Sequence, residues 1–295
     1  MKRKILDGAF LDRLDAAALC LKTAMTGFFG GGRKARSYGN TVEFADFREY
    51  FPGDDIRRID WNVYARFEKY FIKLFTDERQ MHNQILVDCS ASMACGKPEK
   101  AAQALRIAAA FGYLSVASMD RVSFKMMEGN KSRDLGFTIT NKDSFYRAAQ
   151  AMETTEFEGE VDLEKAIVNL EAPGYDDGLT IIISDFLTES DWKKAIDFLM
   201  YKRREILMIQ VLSPDELYPD LDGRLDMLDS ENDANNMRVI MTRKMVEAYQ
   251  KALDEYEKEI IDFCASRGVT FFTVCSDDPI EKVIFGKGYE TEVIR

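Results

Sequence analysis

Three consecutive apolar residues, Ile85, Leu86 and Val87, run directly into Asp88, and Ser90 and Ser92 follow at alternate positions. No other stretch constrains the fold as strongly. A short apolar run bounded by polar residues reads as a strand buried on both faces, as in a parallel sheet. Asp88 then stands at the carboxyl end of the strand, the edge of an open α/β sheet at which ligands bind. The spacing D-x-S-x-S lets one tight loop aim three oxygen-bearing side chains at one point, and Mg²⁺ takes oxygen ligands in octahedral geometry. The same residues also suit a plain strand-to-helix loop whose serines bond backbone groups. A second apolar strand, Leu179–Ser184, runs into Asp185. If the two strands are neighbours, both carboxylates meet at one edge.

The rest of the chain alternates helices and strands. Apolar residues between 5 and 29 recur every three or four positions, an amphipathic helix, and Gly30-Gly31-Gly32 ends it as a hinge. Tyr70–Phe75 reads as a strand leading toward the Asp88 strand. Pro98 can open a helix with small and apolar residues along one face (Ala101, Leu105, Ala108, Gly112), and Arg121–Met127 is a strand. Asn141, Asp162 and Thr242 stand where N-caps are expected, with Gly268 as the stop of the last long helix. Within that helix Val246, Tyr249, Leu253, Tyr256, Ile260 and Phe263 form a core-facing stripe. Ile206–Leu212 and Val269–Val274 are further strands, and Pro279–Phe285 a short helix. Strands alternating with helices predict a doubly wound, mainly parallel α/β sheet with right-handed crossovers.

Composition narrows the function classes. The formal net charge of −11 argues against non-specific nucleic-acid binding, which needs clustered positive charge. No apolar run is long enough to span a membrane, and acidic residues soon interrupt the basic start, Met1-Lys2-Arg3-Lys4, so it fails as a secretory signal. The five scattered cysteines read as reduced thiols, which fits a cytoplasmic protein. His82 is the one histidine and has no nucleophile near it in sequence. No phosphate-binding G-x-x-x-x-G-K-[ST] pattern is present.

The segment from Val42 to Arg66 interleaves acids and arginines with aromatic residues. It contains Asp46, Arg48, Pro52, Gly53, Asp54, Asp55, Arg57, Asp60, Trp61 and Arg66. Pro52-Gly53 suits the centre of a type II turn, with Asp54 and Asp55 bonding amides beyond it. The arginines favour the ionised form of every nearby acid, so a structural ion-pair network or a partner-binding surface fits better than paired glycosidase carboxylates.

This string, E-F-x-D-x-R-x-Y-x-P-G-D-D-x-R-x-I-D-W-x-x-x-A-R, together with the D-x-S-x-S strand beyond it, closely resembles the bacterial family known as domain of unknown function 58. The resemblance covers nearly the whole chain. It implies a von Willebrand factor A-like domain over 84–295, preceded over 1–83 by an N-terminal helix and the family-specific segment. The D-x-S-x-S loop is similar to the metal-ion-dependent adhesion site of von Willebrand factor A domains. By that likeness Asp88, Ser90, Ser92 and Asp185 hold Mg²⁺, and a partner's carboxylate takes an open position on the ion. Related loops supply a threonine from G-x-T-D-L; here the loop reads Gly159-Glu160-Val161-Asp162-Leu163, and a valine cannot ligate. The resemblance further implies a non-enzymatic protein-interaction module that acts with a MoxR-type AAA+ ATPase in assembly or chaperone-like maturation of other proteins. The alternatives are a metal-dependent phosphoesterase using Asp88 and Asp185, and a scaffold with a vestigial metal site.

Overall fold

The computed structural model describes residues 5–25, 42–52, 54–77, 81–136, 138–170, 178–219, 223–227 and 237–287. They divide into two compact units. One comprises Met1–Thr23 with Met81–Arg295, the other Ala24–Gln80. The Gly30-Gly31-Gly32 hinge and Gly53 lie outside the described residues.

The larger unit begins with α1 (Gly8–Met25), where Asp7 Oδ1 accepts the Phe10 amide at 2.7 Å. Ile5, Phe10 and Leu14 are buried in the main core. Glu153 Oε1 accepts the Ile5 amide at 3.0 Å, and Lys142 Nζ reaches Asp15 at 3.0 Å. The expected grouping of 1–83 therefore divides differently: the first helix belongs with the sheet. Amphipathic spacing shows that a helix has a buried face but not which element covers it.

In the smaller unit, β1 (Val42–Glu49) pairs antiparallel with β2 (Phe71–Asp77), with a register shift between Phe44 and Asp46. Between them lie a 3-10 turn (Ile56–Arg58) and α2 (Trp61–Phe67). β2 is the strand expected near Tyr70–Phe75; β1 is not announced by the mixed polar and aromatic pattern of its residues.

The larger unit continues with β3 (His82–Asp88), α3 (Lys100–Ala117), β4 (Arg121–Glu128), β5 (Lys131–Asp134), α4 (Lys142–Met152) and α5 (Leu163–Val168). Then come β6 (Leu179–Ser184), α6 (Trp192–Tyr201), β7 (Glu205–Leu212), α7 (Pro214–Leu217), β8 (Gly223–Met227) and β9 (Met237–Met241). The last elements are α8 (Arg243–Arg267), β10 (Thr270–Cys275) and a π-helical turn (Lys282–Lys287), close to the short helix expected at Pro279–Phe285. The six-stranded sheet has the order β10-β7-β6-β3-β4-β5. Every pair is parallel except the antiparallel edge pair β4–β5, and β8–β9 form a separate hairpin. This is the doubly wound, mainly parallel α/β sheet that the alternation of strands and helices predicts.

Strand alternation divides the core cleanly. Ile85, Val87, Ile181 and Ile183 point to the face covered by α1, α3 and α4, whereas Leu86 and Ile182 point to the face covered by α5, α6 and α8. All seven residues of β3 are buried, including three polar ones that the apolar run does not include. His82 Nε2 lies 3.2 Å from Ser123 Oγ, and Asn83 bonds Ser115 Oγ and the Leu179 amide. A hydroxyl thus does lie beside His82, but at the amino end of the strand, away from Asp88. The small residues of α3 bring the helix close to the sheet: a Cβ on Gly112 would fall 2.3 Å from Phe124 Cζ. The caps expected at Asn141, Asp162 and Thr242 are all formed, and Gly268 closes α8 in the left-handed region. In α8 only the carboxyl half of the apolar stripe packs fully: Ile260 and Cys264 are buried, while Tyr249 is 38% exposed.

Gly178 stands where β6 enters beside β3. A Cβ there would lie 2.2 Å from the backbone oxygen of His82 and 3.0 Å from the Arg204 guanidinium. Arg204 also bonds the carbonyls of His82 and Leu179, so the neighbouring backbone is held in place. Gly178→Ala is expected to cost about 1–3 kcal/mol, the range for overpacking a fixed site, read as a lower urea midpoint at unchanged slope. A midpoint equal to wild type would show that this strand start has room to move.

Candidate functional site

β3 and β6 are neighbours in register, Val87 opposite Ile183, so the residues that follow them share the carboxyl edge of the sheet. Asp88 is 3% exposed. Its Oδ1 accepts the Ser90 amide at 2.9 Å and its Oδ2 the hydroxyl of Ser184 at 2.5 Å; Ser184 in turn accepts the Phe186 amide at 2.9 Å. Ser90 Oγ and Ser92 Oγ are 3.0 Å apart, in the loop and 3-10 turn (Ala91–Ala94) that follow β3. The second loop is bonded to the first: the Ala91 amide donates to Gly159 O and the Glu158 amide to Cys89 O. Val161 is buried in the same cluster as Leu86 and Phe186, and Asp162 caps α5 through the Lys165 amide.

Asp185 makes the connection that the sequence does not reveal. Its Oδ1 accepts the Leu187 amide at 3.1 Å, and its Oδ2 accepts the ammonium of Lys100 at 2.8 Å. Lys100 opens α3, is 1% exposed, and also donates to Glu216 Oε1 at 2.6 Å. Glu216 is fixed from its other side, because Oε2 accepts the Ser213 amide and hydroxyl in the capping box of α7. Gln210 Nε2 holds the Asp185 carbonyl at 2.9 Å. Burial alone would push the Lys100 ammonium down; the carboxylates of Asp185 and Glu216 outweigh it and hold its pKa above the usual lysine range.

The edge thus gathers Asp88, Ser90, Ser92 and Asp185, as expected, and adds Ser184, Lys100 and Glu216. Ser184 is legible only once the β3–β6 register is known. Glu216 has a local signal, the S-x-x-E capping box, and Lys100 has none, since lysine is ordinarily exposed. The arrangement does not fit Mg²⁺. All four carboxylate oxygens of Asp88 and Asp185 already accept a bond from a protein donor, an ammonium neutralises Asp185, and Val161 offers no oxygen. Among the described residues no group of three or more His, Cys, Asp or Glu side chains is arranged to hold a metal ion.

In the smaller unit the acidic residues serve the backbone. Asp54 Oδ1 pairs with Arg48 at 2.7 Å and its Oδ2 accepts the Phe51 amide, while the Asp54 amide closes a turn onto Phe51 O with Pro52 inside it. These bonds, the backbone one first, hold the Asp54 carboxyl below the usual range. Asp55 caps the 3-10 turn through the Arg57 amide; Asp60 caps α2 through the Asn62 and Val63 amides, and Arg66 lies in its last turn. Asp46 sits on β1 at the register shift. Tyr64 stacks on Tyr70 at 4.6 Å, and Trp61, 58% exposed, meets Tyr64 edge-on.

Burial first, then the charge of Asp185, raises the Asp88 pKa to about 6. The folded protein therefore binds a proton on Asp88 between pH of about 4 and 6 that the unfolded chain has lost. Stability from this group is present below about pH 4 and is lost as pH rises through about 6, on the order of 3 kcal/mol in all. Asp88→Asn removes the titration and keeps an acceptor for one of the two donors. Its stability relative to wild type should rise as pH is taken from about 4.5 to 7.5, measured by urea unfolding at each pH. A difference independent of pH would show that Asp88 is not charged against its surroundings.

The match to the model for "Protein of unknown function DUF58" covers residues 46–259. Uncharacterized proteins of Mycobacterium bovis and Mycobacterium tuberculosis are each 29% identical over 219 residues, covering 72% of this chain and 68% of theirs. Among solved structures, the conserved hypothetical protein BatB from Bacteroides thetaiotaomicron is similar over 72% of this chain and 99% of its own, at 13% identity and a TM-score of 0.43. An aerotolerance-related membrane protein from Bacteroides fragilis covers the same shares at 14% identity and a TM-score of 0.44. Among the described residues no helix is long and apolar enough to cross a membrane. With more than two thirds of its length matched by the family model and the family's acid, arginine and aromatic string in place, this chain belongs to the DUF58 family of proteins of unknown function.

Proposed function

We propose that the protein is a non-enzymatic protein-interaction module that works with a MoxR-type AAA+ ATPase in the assembly or maturation of other proteins, on the cytoplasmic side. The partner class comes from the family resemblance. The ATPase supplies the work, since the sequence of this chain has no G-x-x-x-x-G-K-[ST] phosphate-binding pattern. One observation favours binding over catalysis: the carboxylates at the sheet edge are buried and bonded to protein donors on every oxygen. A phosphoesterase needs a base or a metal-bound nucleophile within reach of substrate, and neither acid is free to serve. The smaller unit offers a second contact. Phe51, Ile56, Trp61 and Phe67 are all more than half exposed, and aromatic anchors of this kind dominate protein interfaces.

The test is reconstitution of the purified chain with the MoxR-type ATPase of the same organism. The two are expected to co-elute. Ser92→Arg at the sheet edge and Trp61→Ala in the smaller unit should each weaken the complex by about tenfold or more, equivalent to about 1.4 kcal/mol. Hydrolysis of a generic phosphate ester that disappears in Asp88→Ala would overturn this reading in favour of the enzyme.

A further inference from the structure

The carboxyl edge contains a cation already, and it belongs to the chain. Lys100 Nζ lies 2.8 Å from Asp185 Oδ2, on the acid that the adhesion-site likeness assigns to the metal. On its other side Glu216 Oε1 is 2.6 Å away, so a carboxylate from the chain itself completes the set. Lys100 is fixed at the first residue of α3, where its amide bonds Cys95 O at 3.2 Å. The preceding loop is pressed on the Ser213 turn, for a Cβ on Gly96 would fall 2.6 Å from Ser213 Cβ. Ser213 is the residue that holds Glu216. Loop, lysine and glutamate are therefore one packed assembly rather than a chance contact of long side chains.

We propose that Lys100 is the resident cation of this site and Glu216 its built-in carboxylate ligand, so that the edge is assembled without a divalent ion. A dication placed at Asp185 would have to displace an ammonium that is 1% exposed and bonded to both Asp185 and Glu216. It would gain no side-chain oxygen from Val161, which is buried with Leu86 and Phe186. The same geometry explains how the third-loop aspartate can be kept while the second-loop hydroxyl is absent: the acid has a different partner. This inference rests on the geometry of the edge and not on the identity of any partner protein, so the reconstitution experiment and the one below fail independently.

The test is Mn²⁺ binding and thermal unfolding of wild type, Asp185→Asn and Lys100→Met. Wild type is expected to show no saturable binding and no change in Tm at millimolar Mn²⁺. Lys100→Met leaves Asp185 and Glu216 facing each other across a site with no positive charge. It should melt well below wild type and regain several degrees when Mn²⁺ is added, since an ion that binds only the folded state stabilises it. If Lys100→Met does not fold, Lys100→Gln, which keeps a donor toward Asp185, carries the same comparison. A rise of several degrees in wild type with Mn²⁺, absent in Asp185→Asn, would overturn the proposal. So would a lysine variant as stable as wild type without any ion.

Discussion

A lysine ammonium removed from water is tolerated only where carboxylates meet it, and the carboxyl edge of this protein is built around that requirement. Lys100 joins three pieces distant in sequence: the start of α3, the end of β6 through Asp185, and the single-turn α7 through Glu216. Stripping one partner from a buried ion pair typically costs about 3–5 kcal/mol, because the other charge is left stranded. The pair therefore specifies geometry more than it adds stability. It fixes which end of α3 faces the edge and where the chain leaving β7 must turn. The capping box at Ser213 and Glu216 then serves two purposes with one side chain, one oxygen on the helix start and the other on the ammonium.

Much of this was legible in the sequence because the relevant signals are local. The apolar runs ending in Asp88 and Asp185 became neighbouring central strands, and Asn141, Asp162 and Thr242 cap the helices they precede. What was not legible depends on tertiary placement. β3 extends back through His82, Asn83 and Gln84; Ser123 gives His82 a partner there, and Ser115 and Leu179 give Asn83 its partners. Lys100 follows Pro98 and Glu99 in a polar stretch that reads as an ordinary exposed helix start. Its burial follows from how closely the alanine face of α3 lies on the sheet. The amino half of the α8 stripe shows the converse: the apolar spacing is present, yet Tyr249 stays 38% exposed.

The two units use charge in different ways. In the smaller one, Asp54, Asp55 and Asp60 are directed at backbone amides, so the dense acid and arginine string shapes a turn, a 3-10 turn and a helix start. Of the apolar residues in the same string, Ile59 is buried while Phe51, Ile56 and Trp61 stand on the surface. An arrangement in which the polar residues hold the scaffold and the aromatic ones face outward is the reverse of a soluble core, and it suits a surface meant to be covered.

Charge at the sheet edge also sets what kind of group it can receive. In an adhesion site a dication attracts a partner's carboxylate. Here one ammonium, that of Lys100, is shared between two carboxylates, Asp185 and Glu216, so the set is negative whether or not Asp88 beside it is ionised. Burial first, and the charge of Asp185 second, raises the pKa of Asp88 beside it. An acidic group brought to this edge would meet like charge and a ligand position already filled by Glu216, whereas a basic or neutral surface would not. On a doubly wound α/β sheet, the carboxyl edge thus holds an ammonium bonded to two acids where the adhesion-site likeness would place a dication.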